Sequence, residues 1–306
     1  MITKKDIILD YKAKTSGKRA LKIDFLKGIS KSNVYISKKT GLVFHKPKIS
    51  TDKVLKFWSE KIFSNKIDYK NLTYSSENIT MKSRHFYCAN FSKKYLIKKN
   101  LNYCDFGTGE GNFLKEVLSI NKNININFTE FSKKNILLIL KDLKSKKLRN
   151  YNFHNGPIEH VDRNKNIKNI NFGSLLWTLC NCIDPIEVLK SIHKKMSKSS
   201  HLLIAESSRI LVPFKKPIYN YFNIYNHTEN THPWHFSFNS LSNLLELSGF
   251  RIVHHNRFYD ENDMVVIAKK RNLNSKPKFI KDDYKKIKLF LKKWKENSFF
   301  LKNKKF

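Results

Sequence analysis

Glycine is scarce in this chain, 9 in 306 residues, and proline is scarcer, 7. Fibrous and low-complexity chains need far more of both, so a folded domain is expected. The 4 cysteines, Cys88, Cys104, Cys180 and Cys182, form no Cys-x-x-Cys pair. That argues against a disulfide framework or a thiolate metal cage, and it fits a reducing, cytoplasmic compartment. No run of 18 apolar residues occurs, so no membrane-spanning helix is expected. The opening MITKKDIILDYKAK lacks an apolar core and a small-residue cleavage site, and is not read as a signal peptide. Acidic residues are also few: 25 against 60 basic ones, a net charge of +35.

Such a charge invites a nucleic-acid partner. The excess is lysine rather than arginine, whose planar fork reads phosphates and bases. It is also spread along the whole chain, with abundant Asn, Ile and Phe, as A/T-rich codons would write it. Nucleic acid therefore stands as an alternative partner, and the charge is read as a diffuse attraction for anions that salt screens.

With 40% hydrophobic residues the chain can build one large domain with appendages. Residues 1–83 read as a polar N-terminal region, with a short helix over 53–63 and a loop over 64–83. A longer helix is expected over 84–99. From 101 the pattern alternates. LNYCDF, NININFTEF, RNYNFHNG, INFGSLLWTL and SHLLIAES read as strands, with amphipathic helices between them. One helix opens at Asp184-Pro185, another after Ser237 and stops at Gly249. RIVHHNRF and DMVVIAKK read as a closing antiparallel pair. This order implies an α/β sandwich around a mostly parallel sheet over 84–272. In the tail, 273–306, Ile280, Tyr284, Ile287, Leu291 and Trp294 form the apolar stripe of a basic amphipathic helix. That stripe packs on the domain or meets an anionic membrane surface or partner.

Three of the few glycines, Gly107, Gly109 and Gly111, fall together in YCDFGTGEGNFLKEV, between a strand and a helix. A Walker loop would end in Gly-Lys-Ser/Thr, and this one ends Glu110-Gly111-Asn112. A dinucleotide loop would carry its third glycine where Asn112 stands. The spacing, with Asp105 before it, resembles motif I of the class I S-adenosylmethionine (SAM)-dependent methyltransferases. SAM carries a sulfonium and an ammonium but no phosphate, so nearby carboxylates favour it. Glu130, ending the second strand, stands where such folds hold the ribose hydroxyls. The resemblance implies a Rossmann-like fold with a seven-stranded sheet and SAM as cofactor. It assigns to the cofactor Asp105, Gly107, Thr108, Gly109, Gly111 and Glu130. Asn155, or Glu159 in the same HNGPIEH stretch, falls near the adenine, and Leu179, which closes the fourth-strand run, is also assigned to the cofactor.

The likeness extends over roughly 35–270. Asp184-Pro185 match the family's Asp-Pro, while Cys180-Asn181 replace its usual Glu-His. His232, Phe236, Ser237, Leu241 and Gly249-Phe250 fit the family's His-x-x-x-Phe-Ser segment, in an order most like the branch that methylates sugars and other small molecules. The acceptor is then a small molecule, a sugar or cell-envelope or secondary-metabolite precursor. His232 matches the position that can carry the base, with His227 and His235 behind it and Tyr221 and Tyr225 as substrate contacts. An RNA or protein methyltransferase is the alternative, although the Asn/Asp-Pro-Pro-Tyr signature is missing. A non-catalytic scaffold is a third reading. That branch often carries an N-terminal zinc module. SKKTGLVFHKP keeps Gly41-Leu42-Val43-Phe44 and Pro47 but has Ser37 and Thr40 where the cysteines would be, so the module's shape is expected without the metal. Cys180 and Cys182 are read as small apolar side chains.

Overall fold

The computed structural model describes residues 2–12, 18–27, 29–30, 32–46, 50, 52–56, 76–207, 209–212, 217–222, 232–256 and 263–302. Its larger sheet has seven strands: β4 (Leu101–Phe106), β5 (Ile124–Glu130), β6 (Tyr151–Asn155), β7 (Ile170–Leu176), β8 (Met196–Glu206), β10 (Phe250–His255) and β11 (Met264–Lys270). They lie in the order β10-β11-β8-β7-β4-β5-β6. β5 and β6 stack parallel on one side of β4, and β7 and β8 on the other. β11 runs antiparallel to both β8 and β10. The chain direction of travel across the sheet thus reverses between β4 and β7, and α/β folds bind ligands at such a switch point, beyond the carboxyl ends of the strands.

The strands are covered on both faces, and the residues alternate accordingly. On β8, Leu202 packs into one core layer with Leu189, Ile192 and Leu244, while its neighbour Leu203 packs into the other with Val117, Phe128 and Ile267. The helix Asn112–Ile120 faces that second layer with Phe113, Leu114, Val117 and Leu118. Pro185 opens the helix Pro185–Lys195, and the Asp184 carboxylate caps it by accepting from the Glu187 N–H at 3.1 Å. The helix expected over 84–99 runs instead from Ser76 to Leu96, so 76–83 is helical and not loop. Its first turns have few apolar residues, which hid them from a periodicity reading. Of the helix expected over 53–63, residues 52–56 are helical and 57–63 lie outside the described residues.

A second, antiparallel sheet gives the N-terminal region its structure. It contains β1 (Ala20–Lys22), β2 (Asn33–Ser37), β3 (Val43–Lys46) and β9 (Trp234–His235), in that order. β9 belongs to the long segment after β8, and it pairs Val43 with His235 and Phe44 with Trp234. Ser37 and Thr40 both donate to Asp10 Oδ2, each at 2.6 Å, and Asp10 is fully buried. A carboxylate thus ties the Ser37–Thr40 turn to the first helix, Lys4–Tyr11, by hydrogen bonds. Pro47 lies outside the described residues.

The C-terminal helix spans Tyr284–Lys302. Ile287, Leu291 and Trp294 are buried against Val34, Ile36 and Val43 of the small sheet and against Tyr221 and Phe222. Its apolar stripe is therefore spent within the chain, leaving lysines outward. Ile280 precedes the helix and is exposed. No helix among the described residues is long and apolar enough to cross a membrane.

Candidate active site

The glycine loop leaves β4 at the switch point. Gly107 N–H donates to the Thr129 hydroxyl at 2.9 Å, and Thr108 N–H to the Thr129 carbonyl at 3.0 Å, so β5 fixes the loop's base. Gly107 has φ +73°, and a Cβ there would stand 2.9 Å from the Thr178 hydroxyl, reaching across from the end of β7. Both facts require glycine. Gly109, φ +58°, is different: a Cβ there would meet nothing within 4 Å. This glycine leaves open space above the loop, which a ligand can approach closely.

Glu130 closes the loop from the next strand. One carboxylate oxygen accepts from Gly109 N–H at 2.8 Å, and the other from Phe131 N–H at 3.1 Å and Ser132 N–H at 2.9 Å. A carboxylate offers about four acceptor sites. Backbone N–H groups take three of them. Burial raises the Glu130 pKa, and the three N–H donors, with the Asn135 side chain, oppose that rise.

Asp105 lies beneath the loop, 2% exposed. Ser174 donates its hydroxyl to Asp105 Oδ1 at 2.6 Å, so the Tyr103 hydroxyl, 2.6 Å from the same Ser174 oxygen, must donate to it. Asp105 Oδ2 is buried and has no partner. Burial, reinforced by the Glu130 charge and opposed by Ser174, pushes Asp105 up to about 7. Glu206 ends β8, fully buried, and accepts from Leu179 N–H at 2.9 Å. Burial pushes it up to about 8, against the hydrogen bonds from Cys180 and Leu179. Three buried carboxyl groups thus line the carboxyl edge of a sheet whose chain is otherwise crowded with lysine. A cation entering there would stabilise their charged forms. The negative potential of Asp105 and Glu130 and the open face at Gly109 fit a cationic nucleoside ligand such as SAM.

The acids also set a pH dependence. A carboxyl whose folded pKa lies above its unfolded value holds a proton in the native state that the unfolded chain has released. Stability is therefore full below about pH 4 and falls as pH rises, through about 7 for Asp105 and about 8 for Glu206. Glu206→Gln keeps a neutral acceptor for Leu179 N–H. Urea midpoints measured from pH 5 to 9 should show the variant gaining on the wild type up to about pH 8 and running parallel above it. A difference that does not change with pH would mean Glu206 is ionised in the fold.

Of the other residues singled out in the sequence, Asn155 ends β6, exposed, directly opposite Glu130 in the ladder. Glu159 is half-buried in the short turn that follows. Leu179 is fully buried in the core layer, and its backbone rather than its side chain faces Glu206. Cys180 and Cys182 are buried free thiols whose pKa values burial pushes well up, as small apolar residues would be. Tyr225 and His227 lie outside the described residues.

His232 is half-exposed, two residues before the strand that joins the small sheet. Its neighbourhood holds an arrangement that sequence reading missed. His45 and His235 are both buried and meet through their Nε2 atoms at 2.6 Å. His45 Nδ1 lies 2.7 Å from Ser32 Oγ, and His235 Nδ1 3.0 Å from Tyr221 OH. Burial holds His45 down to about 3 and His235 well below its usual range, each helped by the neighbouring imidazoles. Both rings are therefore neutral at pH 7, and one Nε2 donates to the other. The available signal was His45, directly after Gly-Leu-Val-Phe, in a strand whose partner is remote in sequence.

A reversing parallel sheet with a glycine loop at the switch point and an acid at the end of the next strand defines a SAM-dependent methyltransferase of class I. Residues 81–255, more than half of the chain, match the profile of the methyltransferase domain family. The chain belongs to that family. Among solved structures it is similar to a candidate O-methyltransferase from Nostoc punctiforme, at 14% identity and a TM-score of 0.51, over 62% of this chain and 57% of that one. It is also similar to the [4+2]-cyclase SpnF, at 11% identity and a TM-score of 0.50, over 71% of this chain and 93% of that one. A third is a candidate methyltransferase from Haloferax volcanii solved with its Trm112 activator, at 10% identity and a TM-score of 0.50, over 71% of this chain and 98% of that one. The chain spans little more than half the length of the first of these. At such identities the likeness is one of fold, and a cyclase among them illustrates that fold and reaction are separable. No curated protein matches the sequence.

Proposed function

We propose that the protein methylates an oxygen or carbon of a small-molecule acceptor, a sugar or a cell-envelope or secondary-metabolite precursor, in the cytoplasm. The observation that carries this reading is the placement of the His232 segment. Ile210 N–H, just beyond the end of β8, donates to the Phe236 carbonyl at 2.8 Å. The stretch from His232 to Ser237 thereby runs beside the carboxyl end of the sheet, the side on which the cofactor loop lies. The four buried free cysteines support the reducing compartment.

Bound SAM supplies an electrophilic methyl group on a sulfonium leaving group. The residues of the chain align it: the loop from Gly107 to Gly111 and Glu130 hold the nucleoside end, and Asp105 takes the ammonium. His232, half-exposed, receives the acceptor's proton as the new bond forms. The test is turnover with a panel of nucleotide sugars, read as S-adenosylhomocysteine formed. His232→Ala should lower the rate about 100-fold or more and leave S-adenosylhomocysteine affinity within about twofold. Turnover on RNA or protein alone, or full activity in the variant, would sink the reading.

A further inference from the structure

The turn that follows β7 is made by a residue that resists it. Trp177 has φ +51°, in the left-handed region where a bulky side chain is a genuine outlier. Glycine or asparagine ordinarily takes such a position. Trp177 is also half-exposed, so filling the core does not account for it. Three hydrogen bonds hold it there. Its N–H donates to the Ala205 carbonyl of β8 at 2.7 Å, and its carbonyl accepts from the Asn181 side-chain amide at 3.0 Å. Its indole N–H donates to Asp263 Oδ1 at 3.0 Å, a partner 86 residues away.

Asp263 is itself anchored. It is buried directly before β11, and its carbonyl accepts from the Asn256 side chain at 2.9 Å. Arg84, on the helix Ser76–Leu96, donates to both of its carboxylate oxygens and lays its guanidinium over the Trp177 ring, 4.4 Å from the centroid. One arginine thus grips the carboxylate and covers the ring that the carboxylate holds. His85 meets that ring edge-on at 4.9 Å and lies 6.4 Å from Phe113, in the first turn of the helix that follows the glycine loop. The strain is spent at the same loop. The residue after Trp177 is Thr178, whose hydroxyl donates back to the Leu176 carbonyl at 2.9 Å and stands 2.9 Å from where a Gly107 Cβ would be. A strained backbone persists only where its surroundings over-determine it, and it collects at ligand clamps. Here the residue it presents is the wall of the cofactor loop.

We propose, on the reading that SAM binds at the glycine loop, that Asp263 is a positioning residue for methyl transfer: through the Trp177 indole it sets the turn after β7, and with that turn the place of Thr178 against Gly107. Asp263 touches no reacting group. Its effect reaches the cofactor only through Trp177 and Thr178.

Calorimetric titration of S-adenosylhomocysteine into the full chain tests it, with thermal melting alongside. Trp177→Phe keeps an aromatic ring and removes the indole donor, while Arg84 still satisfies Asp263. It should weaken binding about fivefold, as the loss of one hydrogen bond to a charged group would. Asp263→Ala should weaken it at least as much. The double variant should lose no more than Asp263→Ala alone, because groups that act through one contact are not additive. Asp263→Asn is the rescue. Its amide oxygen takes the Oδ1 place, where the Trp177 and Arg84 donors converge, and its NH₂ then opposes the Arg84 Nε. That variant should melt lower yet keep affinity within about twofold, a split that a merely structural role would not produce. Should Asp263→Ala fail to fold, Trp177→Phe set against Asp263→Asn decides the same point. Lower melting with unchanged affinity in Trp177→Phe, or losses that multiply in the double variant, would overturn the proposal. Glu130→Ala, titrated beside them, locates such a failure. If it alone loses affinity, only the role of Asp263 falls; if it too binds like the wild type, the placement of SAM at the glycine loop falls with it.

Discussion

Glu130→Ala should weaken S-adenosylhomocysteine binding at least tenfold. The carboxylate ties the glycine loop to the next turn: it receives the Gly109 N–H from the loop and the Phe131 and Ser132 N–H groups from its own turn, and in the proposed reading it also receives a ribose hydroxyl. A charged hydrogen bond contributes about 1.5–3 kcal/mol. Against a micromolar affinity of about −8 kcal/mol, that loss is plain in a calorimetric titration. Truncation also leaves three N–H donors to water, so the loop should loosen as well. Glu130→Gln separates the two effects. Its amide must present an NH₂ to one set of backbone donors, so it should fail nearly as badly as alanine although it could still meet a hydroxyl. Unchanged affinity in the alanine variant, with the protein folded by circular dichroism, would remove Glu130 from the ribose site.

The second large effect is expected in stability rather than in cofactor binding. Trp234→Ala should destabilise the protein by about 3–5 kcal/mol, the usual range for a buried aromatic. Trp234 is fully buried, its ring 5.0 Å from Tyr11 and 6.4 Å from Phe44, and its indole N–H donates to the Cys182 carbonyl at 2.7 Å. One side chain thus touches the first helix, the small sheet and the turn after β7. Urea unfolding measures the loss. A change below about 0.5 kcal/mol, within the range of ordinary surface substitutions, would mean that the small sheet holds without this ring.

The parallel sheet was legible because each strand and helix carries its own periodicity. NININFTEF and SHLLIAES are strands whatever their neighbours do, and β8 only begins earlier, at Met196. The glycine loop, and the acid that ends the next strand, were legible in place because a tight turn restricts residue type at fixed spacing. The small sheet was hidden for the opposite reason. Three of its strands are three to five residues long, and its fourth, only two residues long, comes from the segment after β8. Such pairing follows from tertiary contact and leaves no local pattern. The histidine pair was hidden in the same way, since His45 and His235 meet only through β3 and β9. Asp10 could not be matched to Ser37 and Thr40 from sequence, because any nearby carboxylate would have served.

The separation of that pair, 190 residues, also governs how the protein is made. At a synthesis rate of roughly 5–20 residues per second, β3 emerges from the ribosome roughly 10–40 s before β9 exists to cover its edge. For that interval the nascent chain carries an open β-strand edge, the kind of surface that chaperones shield and that aggregation exploits. The buried stripe of Ile287, Leu291 and Trp294 arrives later still. The N-terminal region is therefore first to be translated and last to be finished, and its yield in a cell depends on how well that wait is guarded.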